Sequence, residues 1–311
     1  MYEADFAVML KSYEPDLPFA KRLVESFHTY RADEMEIFVI VPDAQVGQFE
    51  EELRPLGAGL EVLSEHVFSD ELVDSGMHGL SAGYINQQII KLAFASTGLA
   101  RNYLAIDSDV QFLRSFTQSD FVAKDGCPYC VLSEDAFLKA DPVYFSRYWQ
   151  ARHESLSRIY DHVGLRDHAL LTCHGNTVLS SEVVRSFRDE FLRPRSWKLS
   201  DALEIAPYEF GWYSAWLVAS EQPLTYLHDP FFHCFHTEEQ YMAFINRGHT
   251  LDDLSRGFIG VVLNSNWYRK TELSQSQLTR PEVLAGTLAA SDVLKMLVYK
   301  IKQKWQSSIG A

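Results

Sequence analysis

Long apolar runs are missing from this chain. None of its 311 residues belongs to a stretch near the roughly 20 consecutive apolar residues that a membrane-spanning helix requires. Cysteine is scarce: 4 in the whole chain make no disulfide framework, which points to a reducing setting. Positive charge is short too. The 28 Lys and Arg against 42 Asp and Glu leave a net charge of −14, and so acidic a chain lacks the basic footprint of a nucleic-acid binder. No basic leader followed by an apolar stretch opens it, so the expected location is cytoplasmic. Internal repeats and low-complexity tracts are absent. What remains is ordinary globular material, 47% hydrophobic, enough for a large packed core.

The first hundred residues alternate strand and helix signals. Asp5–Leu10 reads as a buried strand, Pro18–Tyr30 as an amphipathic helix, and Glu36–Val41 as a second buried strand. Val46–Leu53 then reads as a short helix and Leu60–Leu63 as a third strand. Tyr84–Ser96 is a strongly amphipathic helix, with Gly98 suited to end it. This βαβαβ order predicts a mostly parallel, right-handedly wound sheet. Arg101–Ile106 is a further strand running into Asp107-Ser108-Asp109. In the second half, helices are expected over Phe145–Tyr160, Ser181–Leu192 and Ala206–Ser220, with short strands near Leu170–Thr172, Thr177–Leu179 and Leu224–Leu227.

Asp107 and Asp109 form the only Asp-x-Asp in the chain. The pattern alone is weak in an acidic protein, but its place is informative, because open α/β sheets bind ligands beyond the carboxyl ends of their strands. Hard cations such as Mn²⁺ and Mg²⁺ take oxygen ligands, and a nucleotide diphosphate can supply the remainder of the shell.

Several stretches resemble bacterial GT-A glycosyltransferases, in particular a group tied to capsule and lipopolysaccharide synthesis. They are the opening strand with Lys11, Ser12 and Tyr13, the helix carrying Gln87, Gln88 and Lys91, and the stretch from Tyr103 to Phe116. Tyr208-Glu209-Phe210 and Phe232-His233-Cys234-Phe235-His236 are looser matches. The resemblance implies an α/β GT-A (Rossmann-like) fold, a mostly parallel sheet flanked by helices with a C-terminal helical elaboration. It implies a GT-A domain over 1–265, with a nucleotide-sugar half at 1–116, an acceptor half at 117–265, and a helical tail at 266–311. Asp107 and Asp109 would hold Mn²⁺ or Mg²⁺, and Asp107 and Ser108 the donor. Lys11, Ser12, Tyr13 and Asp43 would line the nucleoside pocket, with Gln87, Gln88 and Lys91 beside them. His236, with His233 behind it, would complete the metal shell. The activity implied is sugar transfer from a nucleotide-sugar donor to a glycan or lipid-linked acceptor of the cell surface.

An inverting transferase needs a base for the acceptor hydroxyl. Glu209 leads, set in an aromatic stretch, with Asp229 and Glu134 in reserve. Tyr144, Tyr148, Trp149, Tyr208, Trp212, Tyr213 and Trp216 suit either a sugar-stacking surface or a core. Cys127-Pro-Tyr-Cys130 has the spacing of a thiol-redox motif but lacks the following helix, and reads as two free thiols beside a turn. Asp292–Trp305 is amphipathic with four lysines, which suggests an interfacial helix at the inner face of a membrane. The competing readings are a sugar-nucleotide nucleotidyltransferase, against which stands the lack of a glycine-rich loop after the first strand, and a non-catalytic sugar or nucleotide binder.

Overall fold

A computed structural model of the chain describes residues 2–133, 142–173, 175–227 and 229–268. Glu134 and the basic helix expected over Asp292–Trp305, with its membrane contact, lie outside them. Among the described residues no helix is long and apolar enough to cross a membrane.

The architecture is mixed α/β, a mostly parallel central sheet flanked by helices, as expected. Strands β1 (Ala4–Lys11), β2 (Glu36–Val41), β3 (Leu60–Ser64) and β4 (Ala100–Asp107) are all parallel to their neighbours, in the order β3-β2-β1-β4. Thr177–Ser180 closes the sheet antiparallel against β4. The strands read as unbroken apolar runs because both faces of the sheet are covered. Along β1, Phe6, Val8 and Leu10 enter one core while Ala7 and Met9 enter the other. Helices α1 (Leu17–Tyr30) and α2 (Val46–Leu53) cover the first face, with Leu23, Val24, Phe27, Phe49 and Leu53 fully buried. Helix α3 (Ala82–Ala93) covers the second with Ile85, Ile89 and Ile90. Ser81 caps it by accepting the Tyr84 N–H at 3.2 Å, and Gly98, at φ +82°, turns the chain toward β4.

The sheet therefore winds outward in both directions from β1 and β4, and the crevice between their carboxyl ends is the topological switch point. The register sets Lys11, the last residue of β1, opposite Asp107, the last of β4. Beyond β1 the chain enters a short 3₁₀ turn at Glu14–Asp16, with Pro15 and no glycine.

Past Asp109 the chain joins a second sheet. Strand β5 (Val110–Phe112) pairs antiparallel with Gly260–Leu263, which pairs parallel with Phe232–Phe235. Gly260 is obligatory here: a Cβ would run into the Gln111 carbonyl and the Phe232 ring.

One expected element is corrected. The helix anticipated over Ala206–Ser220 spans Glu209–Ala219, and a separate helix that was not anticipated, Leu199–Ile205, precedes it. Pro207 forces its predecessor out of helical geometry, and Ala206 is extended at φ −153°, ψ 116°. Glu209 thereby opens a new helix instead of lying within one. The aromatic stretch after it is mostly core: Trp212 and Tyr213 are buried, and the Trp216 indole N–H donates to the Ser186 hydroxyl. Tyr144, Tyr148 and Trp149 have no described side chains.

Candidate active site

The Asp107-Ser108-Asp109 loop is the hinge between the two sheets, and each of its residues is fixed differently. The Asp107 N–H donates to Asn176 Oδ1 at 2.8 Å. Asn176 sits in the left-handed region at φ +60°, a conformation that asparagine tolerates better than most residues. The Asp107 carboxylate accepts from Gln87 Nε2 at 2.7 Å and lies 2.8 Å from Lys91 Nζ, both on the same oxygen, Oδ1. Gln87 and Lys91 are four apart on α3 and so share a helical face.

Lys91 is itself 3% exposed, and its Nζ also lies 3.0 Å from Glu209 Oε1 and 4.9 Å from the centre of the Phe210 ring. Burial pulls the ammonium toward deprotonation, but the carboxylates of Asp107 and Glu209 outweigh it and hold the Lys91 pKa above the ordinary lysine value. Ser108 Oγ donates to Ser12 Oγ at 3.0 Å, which ties the loop to the end of β1.

Asp109 is held by backbone. Its carbonyl accepts the Leu263 N–H at 3.0 Å, and its Oδ2 accepts the Ser265 N–H at 2.8 Å. Only 8% of its surface is exposed. Burial first, and then the nearby charge of Asp107, push its carboxyl up to about 6.

The remaining expected residues divide. Lys11 is buried and pairs with Glu65 at 3.0 Å; burial lowers its pKa, with Glu65 opposing. Asp43 is exposed at the end of β2 and accepts from Ser64 Oγ at 2.8 Å, and Tyr13 is exposed after β1. Gln88 is 3% exposed and turned into the interior, with neither amide atom hydrogen-bonded. The Phe232–Phe235 segment is a strand, so His233 and His236, three apart, do not share a face. The His233 ring packs against Phe235 and Phe258, with centroids at 4.6 and 5.1 Å. His236 follows the strand; its N–H donates to Gln240 Oε1 at 2.7 Å and its Nδ1 lies 3.4 Å from Cys234 Sγ. Burial, and then the charge of Asp109, hold the Cys234 thiol above its usual pKa. Asp229 is exposed. All four cysteines are free, and burial pushes the Cys130 thiol up to about 12, the reverse of a reactive thiolate.

Three contributors were missed from sequence. Asn176 carries no motif. Tyr84, 51% exposed, comes within electrostatic reach of Glu209, Lys91 and Asp107. Arg152, from the long Pro142–Val163 helix, stacks 4.9 Å over the Tyr208 ring and acts electrostatically on Tyr84 and Cys234.

The donor set suits a hard divalent cation. Asp107 and Asp109 bring two carboxylates to the loop, Glu209 stands behind Lys91, and the raised Asp109 value comes from burial first and the charge of Asp107 second. Among the described residues no three His, Cys, Asp or Glu side chains are grouped to hold a metal, so oxygens from a bound ligand would have to complete the shell.

A family described as "Family of unknown function (DUF6492)" matches residues 7–244. No curated protein matches the chain by sequence. Among solved structures, mouse xyloside xylosyltransferase 1 in its apo form is 14% identical, with 84% of this chain and 98% of that one covered at a TM-score of 0.49. An active-site mutant of LgtC is also 14% identical, with 91% and 100% covered at a TM-score of 0.49.

Proposed function

This chain belongs to the family of unknown function DUF6492, and we propose that it is a metal-dependent GT-A-type glycosyltransferase acting at the Asp107-Ser108-Asp109 loop. The observation that carries the reading is the loop's position. An Asp-x-Asp with Asp107 partly exposed and Asp109 buried stands at the carboxyl end of β4, at the switch point of a parallel sheet, braced from both sides.

In this proposal Asp107 and Asp109 hold Mn²⁺ or Mg²⁺ together with the diphosphate of a nucleotide-sugar donor. The metal, when bound, supplies Lewis-acid neutralisation of the departing diphosphate. The chain's own groups do the positioning. Asn176 fixes the Asp107 backbone, Gln87 and Lys91 aim its carboxylate, and the Ser108–Ser12 bond holds the loop against β1. Lys11, Tyr13 and Asp43 lie at the carboxyl ends of β1 and β2, where a nucleoside would enter. His236, whose Nδ1 lies 3.4 Å from Cys234 Sγ, is the proposed additional ligand; His233 faces an aromatic cluster. Glu209, the expected base, contacts Lys91, and we assign it to that lysine instead of to the acceptor. The acceptor proposed is a glycan or lipid-linked glycan of the cell surface.

The test is a thermal-shift panel of UDP, GDP, ADP and CDP with and without Mn²⁺, since a ligand that binds only the folded state raises its melting temperature. At least one nucleotide is expected to stabilise the protein, and only with the metal. No shift with any of them overturns the reading.

A further inference from the structure

We propose that Lys91 is a resident competitor for the cation position at Asp107, restrained by Glu209, so that this lysine–glutamate pair sets how tightly the loop binds a divalent ion. The inference rests on Asp107 and Asp109 being the metal ligands.

The geometry makes the competition direct. Lys91 Nζ lies 2.8 Å from Asp107 Oδ1, the same oxygen that accepts from Gln87. A divalent ion on Asp107 must share that carboxylate with a fixed positive charge. Lys91 is buried against the Phe210 ring while the Asp107 side chain is 33% exposed, so the pair interacts more strongly than in water and a cation can still reach the carboxylate. Glu209 pulls the other way. Its Oε1 takes the ammonium at 3.0 Å from the far side, and with only 6% of its surface exposed it has little water to attract instead. The lysine is thus divided between a carboxylate that faces the loop and one that does not.

This arrangement predicts effects of opposite sign. Removing the lysine leaves Asp107 to the metal alone. Neutralising the glutamate leaves the whole ammonium on Asp107. A pair that merely supported the fold would give losses in both cases, so the sign is the diagnostic readout.

The experiment is Mn²⁺ titration of the full chain without donor, followed by calorimetry and water-proton relaxation. Lys91→Met is expected to bind Mn²⁺ at least about tenfold more tightly than wild type, and Glu209→Gln at least about tenfold more weakly. Lys91→Met leaves Glu209 buried without its partner and can fail to fold. The double variant Lys91→Met/Glu209→Gln carries neither charge and is expected between Lys91→Met and wild type. Weakened binding in the double variant, or a shift of both single variants in one direction, overturns the inference and leaves the metal site standing. If the wild type binds no Mn²⁺ without donor, the inference falls, and the nucleotide thermal shift with and without Mn²⁺ decides the proposed metal dependence by itself.

Discussion

The two aspartates of the loop are two residues apart in sequence and held by opposite means. Asp107 is held by side chains brought from far along the chain: Gln87 and Lys91 from α3, Asn176 from the loop before the antiparallel strand, and Glu209 behind Lys91. Asp109 is held by peptide groups of Leu263 and Ser265, at the end of a strand of the second sheet. Side-chain bracing can be tuned one substitution at a time. Backbone bracing moves only if the sheet moves. The loop thus joins an adjustable half to a rigid one.

If both halves serve one ion, the comparison collapses at the level of activity. Asp107→Ala and Asp109→Ala should each lower transfer by at least about 1,000-fold with circular dichroism unchanged, since each removes a ligand from the charge that stabilises the leaving group. A variant retaining more than a tenth of wild-type transfer would split the pair and remove its aspartate from the site.

Stability separates the halves again. On the adjustable side, Lys91→Met strips the partner from a buried carboxylate and should cost about 3–5 kcal/mol in urea unfolding. The double change with Glu209→Gln should recover most of that loss, because the charge left stranded is gone. On the rigid side no side-chain deletion is comparable, and the sheet itself must be struck. Gly260→Ala forces a methyl group onto the Gln111 carbonyl and the Phe232 ring, and should cost about 1–3 kcal/mol. It should also weaken Mn²⁺ binding through Asp109 while leaving the Lys91–Glu209 coupling intact. Equal recovery by Glu209→Gln in the Gly260→Ala background would show that independence in a double-mutant cycle.

The adjustable half was the more legible in sequence, and the reason is physical. Parallel strands covered on both faces announce themselves as unbroken apolar runs, so β1 to β4 and the position of Asp107 follow from local pattern. Gln87 and Lys91 follow from the helical period. Asn176 could not be found this way, because its role depends on a left-handed turn that no spacing encodes. The rigid half was nearly silent. Its strands are three or four residues long, too short for a periodicity to register, and the pairing of Val110–Phe112 with Gly260–Leu263 reaches across more than a hundred residues. The same brevity left His233 and His236 ambiguous between a helix, where they would share a face, and the strand that separates them. Glu209 was found as a buried acid, but its partner was not, since Lys91 lies 118 residues away.

The finest contrast between the halves is the state of their carboxylates without metal. The Asp107 carboxylate has the Lys91 ammonium beside it, while that of Asp109 has the Ser265 N–H and burial, and its carboxyl rises from 3.8 to about 6. A raised value means the folded chain binds a proton more tightly than the unfolded one. Folding stability is therefore lost as pH rises through that interval, and the loss is complete above it. Asp109→Asn abolishes that titration while its amide oxygen can still accept from Ser265. The variant in EDTA should melt higher than wild type at pH 7.5, by about 1 kcal/mol once the weaker neutral hydrogen bond is allowed for, and the gap should narrow toward pH 5. Mn²⁺ should then reverse the order, because only wild type gains binding energy from it. A gap that does not change with pH, or an order that Mn²⁺ leaves untouched, would mean that the burial of Asp109 is structural and that the metal is held by the Asp107 half alone.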